Sequence, residues 1–405
     1  MGLAKFWQQG LKDMKAIWLG TIVWAAVGVA SAQEPAKDDR SAVDAYAKSL
    51  KVIQKTIEQR DFERVREQLS EAEKSAQDKP AIGGNGFELG YLRKQSQLAE
   101  EMQAAVALVS VLPKPGVDFR HAVLHPLDAR VVFACRDGSL RLMDARNPES
   151  PRQVARHPQG ATVWSGAFSS DGKRFFSGHQ NGDVLVWDAD KWQILHTVAL
   201  GEAWPVRELA VAPDGLSFVA EAKKELELWS LAETSPKKIG GIAPRLNFGE
   251  GLAFSPAGDA IATGGMFDVQ LHDPRTGDKR SSFRHASYTM GIEFSPDGKY
   301  IASAPRGNVN KFLAVFECGK SEPLFQVGPL ANYVAGMCFS PDGMRIATTG
   351  CDNAVRLYHA RTGALLLEFP RVKCGGKPMF SRDGRLLGWT EPEGFCFVDL
   401  GTDVK

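Results

Sequence analysis

One turn recurs seven times along this chain, and few folds tolerate that rhythm. SSDG begins at Ser169, APDG at Ala212, SPAG at Ser255, SPDG at both Ser295 and Ser340, and SRDG at Ser381; HPLD at His125 holds the same place in a blurred copy. Asp128, Gly172, Gly215, Gly258, Gly298, Gly343 and Gly384 are therefore spaced by about 40 to 45 residues, a period that belongs to arrays of small β-sheets. The stretch Gly166 to Asp188, GAFSSDGKRFFSGHQNGDVLVWD, is the clearest unit. Ala167 and Phe168 end one apolar run, Ser170-Asp171-Gly172 turn, Phe175 to Ser177 begin a second run, Gln180-Asn181-Gly182 turn again, and Val184 to Trp187 make a third. Asn and Gly suit a tight hairpin because they accept positive φ. The unit reads as an antiparallel meander.

This spacing, the SPDG turns and third strands such as DVLVWD, ELELWS, DVQLHD and AVRLYH resemble the WD-repeat β-propeller family over about three quarters of the chain. The signature dipeptide is Trp187-Asp188 in one unit, Trp229-Ser230 in another, and Met143-Asp144, His272-Asp273, Phe316-Glu317, Tyr358-His359 and Val398-Asp399 elsewhere. The resemblance implies a network of Trp, Ser or Thr, His and Asp within a blade. The second unit comes nearest, with Trp187, Ser177 and His157, but Asn181 stands at the acidic position, so stability is expected to rest more on apolar packing. His285, nine residues before Phe294, matches the family's structural histidine.

Upstream of the repeats the pattern changes twice. Lys12, Lys15, the run AIWLGTIVWAAVGV and then Ala30-Ser31-Ala32 have the layout of a signal peptide, with cleavage expected after Ala32 and Met14 as a more usual start than Met1. The alternative is an uncleaved membrane anchor, although the run is short for a core of roughly 30 Å; Gln33 in place of Cys argues against a lipoprotein. From Ser41 to Ala104, Tyr46, Leu50, Ile53 and Ile57 fall on one helical face, and Phe62, Val65, Leu69 and Ala72 repeat the pattern with Asp61 as N-cap. Pro80 to Gly86 is a joint without the Gly-Lys-Ser/Thr ending of a phosphate loop, and a third helix is expected over Glu88 to Gln103. These helices read either as a collar packed on the propeller or as a partner-binding bundle.

The predicted architecture is an all-β seven-bladed β-propeller preceded by a small α-helical region: a signal peptide over 1–32, helices within 33–104 and the propeller over 105–405. Only Leu400 to Lys405 follow the last third strand, too few for another pair, so residues 105–112 are expected to close the last blade from the other end of the chain. Six cysteines in an exported chain permit disulfides, but their positions suggest mostly buried thiols, with one bridge involving Cys374 left open.

Function has to be argued from sites, because propellers host enzymes and binding modules alike. A net charge of +1 over 405 residues gives no electrostatic case for nucleic acid. There is no Gly-x-Ser-x-Gly elbow, no zinc-spaced cysteine cluster, and the eight histidines occupy unlike positions; His121 and His125 read as loop residues, not metal ligands. No catalytic residue, metal or cofactor is therefore assigned. Six residues before the end of an inner strand stand Phe248, Tyr288 and Tyr333, with Trp204 seven before Val211; four before the end stand Arg120, Trp164, Arg207, Glu250 and Met290. Phe248, Tyr288, Tyr333, Trp204, Trp164 and Arg207 form the candidate rim patch, since aromatics and Arg supply interface hot spots. The competing reading is that the aromatics wedge between blades. The expected function is a non-catalytic scaffold for a protein or peptide partner, periplasmic or secreted, reaching a membrane only if the first segment stays uncleaved. An enzyme or small-molecule or glycan binder using the central channel, and a membrane-tethered assembly factor of the cell envelope, are the alternatives.

Overall fold

A computed structural model describes residues 37–58, 61–77, 88–89, 92–93 and 96, and then 110–399 except for 114–115, 148–150, 202–203, 224, 243–250, 266–267, 285–288, 306–312, 329–333, 371–375 and 393. Two helices, α1 (Lys37–Glu58) and α2 (Phe62–Gln77), precede 28 strands arranged as seven four-stranded sheets. The inner strands are β2 (Phe119–Leu124), β6 (Val163–Phe168), β10 (Leu209–Val211), β14 (Leu252–Phe254), β18 (Thr289–Phe294), β22 (Val334–Phe339) and β26 (Met379–Phe380). Each contacts the next, and β26 returns to β2, so the ring is closed.

The recurring turn explains why each sheet starts as it does. Ser169 is buried; its hydroxyl donates to Asp171 Oδ1 at 2.6 Å and accepts the Arg174 N–H at 3.0 Å, the first residue of β7 (Arg174–His179). Ser295, Ser340 and Ser381 repeat both bonds with Asp297, Asp342 and Asp383. One serine thus satisfies a buried donor and locks the turn. The hydrogen bond from Ser169 is the main cause that holds the Asp171 carboxyl below its usual pKa. Gly172 sits at φ +70°, and its counterparts Gly215, Gly258, Gly298, Gly343 and Gly384 lie between +64° and +72°, a region that costs other residues about 1 kcal/mol or more.

Packing is mostly between blades. Blades one and two share a core of Val132, Leu140, Phe175 and Trp187; blades four and five share Val269, Phe283, Phe294 and Phe316. Blades six and seven are joined differently, because the helices add to their core. Tyr46, Leu50, Ile53, Ile57, Val65, Leu69 and Ala72 are all buried, packed with Leu367, Phe369 and Trp389. The α1 helix lies against β25 (Leu365–Pro370), the outer strand of blade six, and so covers an edge that would otherwise be open. Asp61 accepts the Arg64 N–H as the N-cap of α2. Among the described residues of the third segment, 88–89, 92–93 and 96 are helical.

The outermost strand of blade seven comes from the far end of the chain: β1 (Ser110–Pro113) pairs antiparallel with β28 (Gly394–Asp399), Val111 opposite Cys396. The sequence placed this strand over 105–112; residues 105–109 lie outside the described ones.

Two expectations, the histidine of the blade-two network and the loop placement of His121, are corrected. The polar network of blade two is complete but uses other partners: Trp187 Nε1 donates to Ser177 Oγ at 2.7 Å, Ser177 lies 2.8 Å from His179 Nε2, and His179 Nδ1 lies 3.1 Å from the Ala161 carbonyl. His157 pairs instead with Asp183 at 3.1 Å, and Asn181 also donates to Asp183. His179 ends β7, two residues after Ser177, and so points to the same sheet face, whereas His157 is held by Asp183. Cys351, in the half-exposed turn after β23 (Arg345–Gly350), is disulfide-bonded, whereas Cys135, Cys338 and Cys396 are buried thiols and Cys318 a half-buried one. Cys374 and His285 lie outside the described residues. His121 lies within β2 and not in a loop.

Candidate docking face

The site begins with a defect in the ladder. In blades one, two, five and six the register between the inner strand and its neighbour slips by one residue at the same place, skipping Arg120, Trp164, Met290 and Ala335. A β-bulge of this kind leaves the extra residue unpaired and re-aims its side chain. The position four residues before the strand end is thus where this fold turns a side chain out of the sheet.

The third contributor is set by the loop ahead of β10. Val206 is fully buried; its N–H donates to the His179 carbonyl at 3.1 Å and its carbonyl accepts Ser165 Oγ at 2.6 Å. Gly178 permits this approach, because a Cβ there would lie 2.3 Å from Ser165 Oγ and 2.7 Å from a Val206 methyl. With Val206 pinned, Trp204 and Arg207 on either side of it are brought to Trp164. The guanidinium carbon of Arg207 lies 5.4 Å from the ring centroids of both indoles, and that of Arg120 lies 3.4 Å from the Trp164 ring. Trp204, Arg207, Trp164 and Arg120 therefore form a ladder of alternating indoles and guanidiniums across three blades, each contact contributing roughly 0.5–1 kcal/mol. The Trp164 indole N–H donates to Gln180 Oε1.

Trp164, Trp204 and Arg120 are half-buried and Arg207 is exposed. Phe248, Tyr288 and Tyr333 lie outside the described residues. Arg120 was legible at the same counted position as Trp164 and belongs with the patch. Arg136 and Gln180 were missed, though each directly follows the second strand of its blade.

The electrostatics are lopsided. Among the described residues no carboxylate is ion-paired with Arg120, Arg136 or Arg207, whereas Arg130, Arg146, Arg280, Arg345 and Arg356 each hold one. Burial, followed by the like charges of Arg136 and Arg207, lowers the Arg120 pKa from its usual value. Arg120 Nε and Trp204 Nε1 are buried donors with no acceptor among the described residues. Beside Arg120 a cavity of about 190 Å³ is lined by Asp118, Phe119, Gly376, Thr390, Glu391 and Pro392.

In the centre of the ring, Lys377 Nζ meets Glu293 Oε2 at 2.6 Å, bridging blades seven and five. The Lys377 side chain is more than half exposed; desolvation by the surrounding protein opposes its charge, but Glu293, with help from Glu208, outweighs it and raises the pKa. Glu250 lies outside the described residues. Among the described residues no group of three His, Cys, Asp or Glu is placed to hold a metal ion.

Comparison with known proteins agrees with the fold. The family described as "WD domain, G-beta repeat" (WD40) matches residues 150–188 and 323–359, which cover the outer strand of blade one with the first three strands of blade two, and the outer strand of blade five with the first three of blade six. The chain is a WD-repeat β-propeller. Actin-interacting protein 1 of Drosophila melanogaster is 25% identical to it over 174 residues, 41% of this chain and 28% of that protein, so the propeller aligns with under a third of that relative. Among solved structures, a chain in the crystal structure of the mitotic checkpoint complex superposes with a TM-score of 0.62 at 18% identity, covering 72% of this chain and 90% of that one. The β-propeller domain of Cps50 (Swd1) from Myceliophteria thermophila gives 0.61 at 14%, covering 73% and 100%. At such identities the likeness concerns the fold alone.

Proposed function

We propose that this WD-repeat propeller is an exported, non-catalytic scaffold that docks a protein or peptide partner on the face carrying Arg120, Trp164, Trp204 and Arg207. The observation that carries the reading is the half-exposed ladder of two indoles and two guanidiniums, the residue types that dominate binding energy at protein interfaces. Its backbone supports are rigid, so little conformational freedom is lost when a partner binds. The channel alternative is disfavoured because Glu293 is already neutralised by Lys377. A relative named for interacting with actin, and a fold shared with a chain of a checkpoint complex, are in keeping with a role in protein association. The disulfide at Cys351 supports export, since such bonds persist in oxidising compartments. Among the described residues no helix is long and apolar enough to cross a membrane.

A photo-crosslinking amino acid at position 207, with position 194 on the outer strand of blade two as control, tests the docking face in the cells that make the protein. One protein captured from position 207 and not from 194 is the expected result; the same capture from both positions, or none from 207, rejects it. Export is tested by sequencing the mature N-terminus, expected at Gln33.

A further inference from the structure

The ladder has a charge pattern that selects its partner. From it we infer that the segment docked on this face is an acidic peptide, whose carboxylates take the N–H edges of Arg120 and Arg207; this rests on the docking reading above. Stacking occupies the flat faces of a guanidinium and leaves its planar fork of donors free, and that fork matches a carboxylate with two parallel hydrogen bonds. Arg120 lies 3.4 Å and Arg207 5.4 Å from the Trp164 ring centroid, both within cation–π reach. Arg136 adds a third positive charge, close enough to bear on Arg120.

Three observations point to a carboxylate-bearing partner. The guanidiniums form no ion pair among the described residues, although the chain as a whole is balanced at +1 and arginines elsewhere are paired. Two donors in the cluster, Arg120 Nε and Trp204 Nε1, lack any acceptor among the described residues, and buried donors rarely stay so without a function. Finally, Arg120 and Arg207 come from different blades but lie 3.4 Å and 5.4 Å from one ring centroid, a spread that side chains on alternate residues of an extended segment, roughly 7 Å apart, can span. Asp118 and Glu391 in the adjoining cavity mark the limit of the acceptor-seeking surface, since a carboxylate there would meet like charge. A single phosphate ion is a poorer match, because the two guanidiniums are carried by separate blades.

The test is anisotropy of a rhodamine-labelled peptide of alternating Glu and Ser, six residues long, beside its Gln counterpart, on the full chain. The Glu peptide is expected to bind at least about tenfold more tightly than the Gln peptide, and to weaken between about 0.05 M and 0.5 M salt. Arg207→Gln and Arg120→Gln should each cost about tenfold in affinity with the melting temperature unchanged for the exposed Arg207. Equal binding of the two peptides, indifference to Arg207→Gln, or displacement by millimolar inorganic phosphate would overturn the inference. The two readings fail separately: a partner still crosslinked at position 207 while the Glu peptide does not bind leaves docking intact and removes only the acidic class.

Discussion

Glu88 and Arg345 lie 257 positions apart and meet as a two-pronged ion pair sealed from solvent, Arg345 Nη2 to Glu88 Oε2 at 2.6 Å and Nε to Oε1 beside it. Arg345 opens β23 in blade six and holds Asp342 with its remaining nitrogen at 2.8 Å, so the helical region is tied to the recurring turn of that blade. Burial and the Glu88 charge together push the nearby Tyr46 hydroxyl well above its ordinary pKa, which keeps it neutral. Breaking such a pair from one side leaves a charge stranded in the interior. Arg345→Met should cost about 3–5 kcal/mol in urea unfolding, and the double variant Glu88→Leu/Arg345→Met should recover most of it. A single variant that unfolds like the wild type would mean that the helices do not share the propeller's stability.

Stability should fall on acidification, with His179 as a main cause. Its Nδ1 faces the Ala161 carbonyl and its Nε2 faces the Ser177 hydroxyl, which itself accepts the Trp187 N–H, so the partners assign the neutral ring protonated on Nδ1. Burial drives its pKa down from 6.5 to about 4. Between those values the unfolded chain binds the proton and the folded one does not. Stability is therefore full above pH 6.5 and declines as the pH drops towards 4, by on the order of 3 kcal/mol. His121, also lowered to about 4 by burial, acts in the same direction. Urea midpoints across this range check it: His179→Gln should flatten the slope, and an unchanged slope rejects the assignment.

What the sequence disclosed follows the range of the interactions concerned. The Ser169-Asp171-Gly172 turn is held by bonds within five residues, so it leaves a repeating local pattern and was readable. Trp164 was found by counting because the bulge recurs at a constant offset from the strand end, and Arg207 stands at the same offset from the end of β10, in the loop ahead of that strand. The pair Arg120 and Trp164 was not, since nothing local says that residues in adjacent blades stack. Glu88 and Arg345 left no signal at all, being an ordinary Glu on a helix and an Arg at the start of a strand. In blade two both His157 and His179 were within chemical reach of Ser177, and the alternation of a strand, applied to Ser177 and His179, would have decided between them.

Ring closure predicts a second stability effect. The β1 strand supplies the partner of β28, so its removal leaves the third strand of blade seven as an open edge and frees the segment that leads from the helices to blade one. Deleting Ser110–Pro113 should lower stability by about 3 kcal/mol or more and the melting temperature by several degrees. The bared edge should also promote self-association, visible by size-exclusion chromatography. A deletion that melts with the wild type would show that the ring closes by the packing between blades seven and one alone.

Two glycines separate backbone strain from packing. Gly138 and Gly201 have nearly the same φ, +80° and +85°, so alanine at either position carries the same left-handed penalty of roughly 1–2 kcal/mol. Their surroundings differ. Nothing lies within 4 Å of a Cβ on Gly201, whereas at Gly138 it would lie 2.7 Å from the Gly160 carbonyl carbon and 2.9 Å from the Ala161 oxygen. Those atoms belong to the loop that carries blade one into blade two, and the Gly138 carbonyl accepts the His157 N–H there at 2.9 Å. Backbone cannot yield as a side-chain tip can, and the same loop gives His179 its Ala161 acceptor. Gly138→Ala should therefore lose about 2 kcal/mol more than Gly201→Ala in urea unfolding and should disturb the near-ultraviolet signal of Trp164, which Gly201→Ala leaves alone. Equal losses would mean that the blade-one turn and this loop separate freely, and the ladder built on the loop's far side would then lack the rigid support that its role in docking requires.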